Sequence, residues 1–148
     1  AADIRWKRVD IKSVSLLPNV LAKQKAIDTN TGETWLVNDE GFITEGTASN
    51  AWIVTQNNEL VTRQTDEYIL GGITRKKILK LAMEEGLKIL ERPFTVLEAQ
   101  SSKEAFFTSS TAFIKPVTSI DDVSIGNGNT GQVTCALIDR YFDFLENS

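Results

Sequence analysis

The chain has 148 residues, a formal net charge of −4, one cysteine and no histidine. That length suits one domain with a real core, and ordinary apolar content with moderate charge predicts a globular chain. The acidic balance argues against nucleic acid as the main partner. The absence of histidine removes histidine-based triads and most zinc sites, so no metal is expected. Cationic residues cluster only locally, as at Arg75-Lys76-Lys77. The single Cys135 excludes an internal disulfide framework and fits a reducing compartment. It lies in an apolar helical pattern and is expected as a buried, inert thiol. No apolar stretch approaches a membrane span and the N-terminus does not read as a signal peptide, so a cytoplasmic protein is expected. Ala1 to Trp6 runs almost at once into strand-like sequence without a starting methionine, which fits a fragment or a processed product.

In chain order, Arg5 to Ile11 reads as a strand, with Trp6, Val9 and Ile11 as its bulky positions. Pro18 opens a helix whose apolar face holds Val20, Leu21 and Ala26. Thr34–Val37 and Phe42–Thr44 are hairpin partners across the turn Asn38-Asp39-Glu40-Gly41. Ala51–Thr55 is a second strand, Asn57-Asn58 its turn and Leu60–Thr62 the return. Gly71-Gly72 breaks the chain before a helix from about Thr74 to Glu85, with Thr74 as N-cap or first-turn residue and Gly86 as its stop. Ile78, Leu79, Leu81 and Ala82 form its buried stripe. Lys88–Arg92 is a strand limited by Pro93, and Val96–Ser101 a short helix. Ala105–Thr108 and Phe113–Ile120 are strands around the polar Ser109-Ser110-Thr111 knot. After a Gly/Asn-rich loop over Gly126–Gly131, the last helix runs from Gln132 to Leu145, with Val133, Leu137, Ile138, Tyr141 and Leu145 at helical spacing. No repeat or linker divides the chain.

Four segments carry candidate chemistry. Asp10-Ile11-Lys12-Ser13-Val14-Ser15 places a lysine in a short extended run. A lysine held out of water forms an imine with an aldehyde readily at neutral pH; the plain alternative is a solvated lysine on an edge strand. Glu45-Gly46-Thr47-Ala48-Ser49-Asn50 supplies a carboxylate able to keep a pyridine nitrogen protonated, or else a solvated loop acid. Gly71-Gly72-Ile73-Thr74-Arg75 is either a simple helix start or an anion site built from free N–H groups and the helix dipole. Thr108-Ser109-Ser110-Thr111 is either a polar turn or a second set of hydroxyls, and the two turns together could clamp one phosphate.

Taken in order, Asp10-Ile11-Lys12-Ser13 with Leu16 to Gln24, Glu45 to Asn50, Leu70-Gly71-Gly72-Ile73-Thr74-Arg75 and Phe106 to Val117 closely resemble the fold-type IV (class IV) pyridoxal-phosphate-dependent aminotransferases. The start is most similar to D-amino-acid aminotransferases, with branched-chain aminotransferases and aminodeoxychorismate lyase further off. The resemblance implies an α/β mixed fold, with a twisted, mostly antiparallel sheet forming a pseudo-barrel and helices outside. It implies pyridoxal 5′-phosphate as cofactor, and an amino acid and a 2-oxo acid as substrates. Lys12 would hold the cofactor as a Schiff base and shuttle the proton, and Glu45 would bind the ring nitrogen. Arg5 would lie near the phenolic oxygen, Leu70 would pack on the ring, and Ile73, Thr74 and Ser110 would bind the phosphate. Ser49 and Thr111 would lie near the substrate. Trp52, Phe113 and Lys115 depart from residues usual in the family. Residues 1–148 would be the cofactor-binding C-terminal domain alone, without the family's N-terminal domain, from a homodimer. Lyase chemistry, a branched-chain substrate, or an inactive structural fragment are the competing readings.

Overall fold

The computed structural model describes residues 1–147. Its centre is a five-stranded sheet in the order β5-β4-β3-β6-β7. Those strands are β3 (Asn50–Val54), β4 (Glu59–Thr62), β5 (Lys88–Glu91), β6 (Glu104–Ser109) and β7 (Phe113–Val117). Every pairing is antiparallel except β4 with β5. That parallel pair needs a crossover, which α2 (Ile73–Glu84) supplies. Two-stranded hairpins, β1 (Trp35–Val37) with β2 (Ile43–Gly46) and β8 (Ser119–Ile120) with β9 (Val123–Ser124), complete the β structure.

β3 explains why the sheet is covered on both faces. All five of its residues are buried, and successive side chains in a strand point to opposite faces. Trp52 and Val54 join Leu60, Phe106 and Ile114 under α2 and α4 (Gln132–Glu146), through Ile78, Leu81, Leu137 and Tyr141. Ala51 and Ile53 join Val61, Phe94, Ala99 and Ala105 on the other face, where Ile43 and Ile125 close the core. The expected mixed architecture is therefore present, as a mostly antiparallel sheet with helices on one face and the two hairpins with α3 (Val96–Gln100) on the other.

α3 starts with a complete capping box: Glu98 N–H donates to Thr95 Oγ1 (3.1 Å) and Thr95 N–H to Glu98 Oε2 (3.4 Å). Thr95→Ala should lower stability by about 1 kcal/mol. Urea denaturation of the two proteins measures this directly, and equal midpoints would show that the cap contributes nothing.

Several expectations need correction. Arg5–Ile11 is not a strand; among the described residues its only backbone-to-backbone links are Val9 N–H to Glu67 O and the local Ile11 N–H to Arg8 O. The strand-like contact lies earlier, where Ala2 bridges Val37 in parallel. α1 (Leu17–Asp28) buries Ala22 and Ala26, one turn apart, and leaves Leu17, Val20 and Leu21 exposed. The small alanines sit against the body because they allow close approach. The run Phe113–Ile120 divides after Val117, where Ser119–Ile120 turns back to pair with β9. In α4 the buried face is Thr134, Leu137 and Tyr141, with Leu145 exposed. Cys135 is exposed, not buried, because two residues along a helix from Leu137 is about 200° around it. Arg75 leaves the expected cationic cluster altogether: it is buried, donating to Arg63 O (2.8 Å) and lying over the Trp52 ring.

Candidate active site

One end of the central sheet gathers the candidate residues other than Lys12. β3 begins there at Asn50, β4 ends there, and β6 ends in the Ser109–Thr111 turn, since Asn50 pairs with Thr108 and Trp52 with Thr62. The chain leaving β4 then loops through Leu70 into the start of α2.

Glu45 lies on β2 and is 6% exposed. Its Oε1 takes a short hydrogen bond from Arg5 Nη1. Its Oε2 accepts from Asn50 Nδ2 (3.1 Å) and Leu70 N–H (3.2 Å). Burial pushes the Glu45 carboxyl up to about 7, against the opposing pull of Arg5 and of the Leu70 N–H. Asn50 Nδ2 also donates to Leu70 O (3.0 Å), so one amide ties the acid to the loop before α2. A Cβ on Gly72 would come within 3.1 Å of Asn50 Oδ1, which is why a glycine leads into the helix here.

Arg5 reaches this acid from the irregular N-terminal segment. Asp3 grips its guanidinium at two points, accepting from Nε at Oδ1 (2.9 Å) and from Nη2 at Oδ2 (2.7 Å). Tyr68 O and Thr44 Oγ1 also accept from Nη2. Burial works to raise the Asp3 carboxyl, but the hydrogen bonds from Arg5 and Thr44 outweigh it and hold it below the usual carboxylate range. Burial likewise works to lower the Arg5 guanidinium, and its two acidic partners leave it raised. Asp3, Arg5, Trp6, Lys7, Val9, Asn38, Asp39 and Tyr68 line a cleft of about 120 Å³ beside this cluster.

At the start of α2, the Ile73 and Thr74 N–H groups find no acceptor among the described residues. Thr74 is buried in the first turn and Gly72 is the N-cap, without a side-chain capping bond. The Ile73 side chain is exposed, so only its backbone faces the helix start.

Arg5, Glu45 and Leu70 are thus joined directly, with Ile73 and Thr74 following Leu70 by a few residues. Ser110 and Thr111 are exposed on the turn beyond β6, at the same end of the sheet. There Ser109 Oγ accepts from Ala112 N–H (2.9 Å). Ser49 is buried but donates to Glu33 Oε2 (2.9 Å), and Thr47 Oγ1 donates to Glu33 Oε1 (2.6 Å). Ser49 therefore offers only lone pairs to anything on its other side. Lys12 stands apart. It is exposed, makes no hydrogen bond or ion pair among the described residues, and borders neither the cleft nor the Glu45 cluster. The expected sequestered amine is not formed here, because residues 11–16 make only local turns and gain no strand partner to cover them.

Sequence reasoning assigned no role to Asp3, Glu33, Thr44 or Asn50. Asn50 had a signal in its fixed distance from Glu45. Asp3 had a weaker one in its two-residue spacing from Arg5. Glu33 and Thr44 had none, since a polar turn and a strand position reveal no partner.

The amino-transferase class IV family model matches residues 1–120. A D-alanine aminotransferase of Bacillus licheniformis is 46% identical over 134 residues, 90% of this chain and 47% of that protein. One from Listeria monocytogenes is 41% identical over 140 residues, 95% of this chain and 47% of that protein. The PLP-form (holo-form) structure of a branched-chain amino acid aminotransferase from Thermobaculum terrenum superposes with a TM-score of 0.87 at 31% identity, covering 93% of this chain and 45% of that one. The chain spans about half the length of the curated relatives it matches. With four-fifths of its length matched in motif order and a shared fold, the chain belongs to the class IV aminotransferases.

Proposed function

We propose that residues 1–148 are the cofactor-binding, C-terminal domain of an aminotransferase that moves an amino group between a D-amino acid and a 2-oxo acid using pyridoxal 5′-phosphate. The observation that carries this reading is the buried Glu45, joined by Asn50 and Leu70 to a helix start with free N–H groups. A pyridine nitrogen needs an acid out of water, a phosphate needs unpaired N–H donors, and this donor set supplies both. When bound, the cofactor supplies an electron sink for the bond to the substrate α-carbon.

Glu45 would share a proton with the ring nitrogen and hold the ring in place. Arg5 fixes Glu45 and has a second Nη1 hydrogen for the ring's phenolic oxygen. The Ile73 and Thr74 N–H groups, the Thr74 hydroxyl and Ser110 would bind the phosphate from two sides. Leu70 would pack on the ring face. Ser49 and Thr111 would border the substrate, and Lys12 would carry the cofactor and move the proton at the α-carbon. The exposure of Lys12 supports a further N-terminal domain that covers it in the whole protein. The exposed Leu17, Val20 and Leu21 support association into a homodimer. No helix among the described residues is long and apolar enough to cross a membrane, which fits a cytoplasmic setting.

Incubation with pyridoxal 5′-phosphate, borohydride reduction and peptide mapping tests Lys12. The expected result is an adduct concentrated on the Lys12 peptide and lost in Lys12→Ala. An adduct spread evenly over surface lysines such as Lys7, Lys25 and Lys80 would remove Lys12 from its role. The branched-chain structural neighbours favour a second reading, with a branched-chain amino acid as donor. Assay of the full-length protein with D-alanine and with L-leucine as donors separates the two.

A further inference from the structure

We propose that Asp3 is a positioning residue, clamping the Arg5 guanidinium so that its one remaining corner, Nη1, faces Glu45 rather than the neighbouring cleft. An arginine has a long flexible stem and a rigid planar head, so two bonds along one edge of that head fix its plane. Asp3 makes those two bonds, to Nε and Nη2. Its own orientation is fixed three ways. Oδ2 accepts from Thr44 Oγ1 (2.7 Å), Oδ1 accepts from Arg5 N–H (3.2 Å), and the Asp3 N–H donates to Val37 O (2.8 Å). Thr44 directly precedes Glu45 on β2, so the clamp and the acid are referenced to the same strand. No hydrogen bond links Asp3 to Glu45 among the described residues; Asp3 acts on the acid through its grip on Arg5 and, more weakly, through its own charge.

The clamp can be told apart from a simple charge effect because the two have opposite signs. The charged groups acting on Glu45 are Arg5 and Asp3, both from the N-terminal segment. Asn50 Nδ2 on β3 and the Leu70 N–H on the loop before α2 are its neutral partners. As a nearby negative charge alone, Asp3 repels the ionised acid, and its removal would make Glu45 easier to ionise. As a clamp, Asp3 keeps the guanidinium on Glu45, and its removal makes Glu45 harder to ionise.

The importance of Glu45 rests on the proposed function, but the test needs no cofactor and so succeeds or fails separately from that reading. The titration of the Glu45 side-chain carboxyl carbon is followed by ¹³C NMR in the chain and in Asp3→Ala. The expected result is a midpoint raised by about one pH unit, the scale set by losing an opposite charge at contact distance. Thr44→Val removes the hydroxyl that holds Asp3 Oδ2 and also accepts from Arg5 Nη2, and should raise the midpoint by a smaller amount. It also reads the same quantity where Asp3→Ala does not fold. A midpoint that falls or stays fixed in the folded variants would overturn the proposal.

Discussion

Glu104→Ala should destabilise the chain by about 4 kcal/mol. Glu104 is a strand residue in β6, 4% exposed, yet its carboxylate caps a helix that begins far along the sequence. Oε1 accepts from Val133 N–H (3.0 Å), and Oε2 from Thr134 N–H and Thr134 Oγ1, both at 2.8 Å. Thr134 is itself buried, so truncation strands donors that water cannot reach. A stranded buried donor costs about 1–3 kcal/mol, and loss of a negative charge at a helix N-terminus adds to that. Glu104→Gln keeps the shape and one acceptor, and should cost roughly half as much. Gly131 tests the same contact from the other side. Its φ of −81° suits any residue, so its requirement is for space. A Cβ there would lie 1.9 Å from Glu104 Cδ, and Gly131→Ala should force the helix start away from the carboxylate. Urea unfolding of the three variants gives the ranking. A loss under about 1 kcal/mol in Glu104→Ala would show that α4 finds another cap.

The contribution of Glu45 to stability should fall by about 3 kcal/mol between pH 5 and pH 8. In the folded chain its carboxyl lies at about 7, against an ordinary 4.5 in the unfolded chain. The folded state therefore holds this proton more tightly. That contribution is fully present below the ordinary value and is lost as pH rises through 7. The difference converts to about 3 kcal/mol at about 1.4 kcal/mol per pH unit. Asp3 acts in the opposite sense, since its carboxyl is held low, but its window lies below pH 4 and leaves the neutral range untouched. Denaturation curves at half-unit steps of pH trace the slope, and Glu45→Gln, which cannot ionise, should flatten it. An equal slope in that variant would place the titrating group elsewhere.

The sheet was legible in the sequence where residues are buried on both faces. Ala51-Trp52-Ile53-Val54 is apolar without alternation, which only a strand covered on two sides requires. The end of α2 was legible for a local reason: Gly86 adopts φ +72°, a conformation glycine accepts at a helix end. The N-terminal segment was not. Trp6 and Ile11 have strand-forming side chains, yet both are about half exposed, and no neighbouring strand pairs with them. Propensity describes what a residue tolerates, and pairing depends on what lies alongside. The same distinction divides the candidate site. The motif order marked Glu45, Leu70 and Thr74, and the fold brings these three to one end of the sheet. The Asp3 fork and the Glu33 anchor depend on side chains meeting across the fold, which spacing does not disclose. Lys12 is the opposite case: its motif stood out in the sequence, but these residues give it no shelter.

The pairing of β3 with β6 also sets when this end of the molecule can exist. Segments around residues 50 and 108 must meet before the sheet has a centre, and the parallel β4–β5 pair must wait for α2 to cross over. Such distant pairings make for slow folding. As the chain emerges from the ribosome, Glu45 and its partners precede β6 and have no floor beneath them until it follows. A chain halted before residue 109 would present the apolar side of β3 to the cell, and would be a substrate for chaperones and proteases.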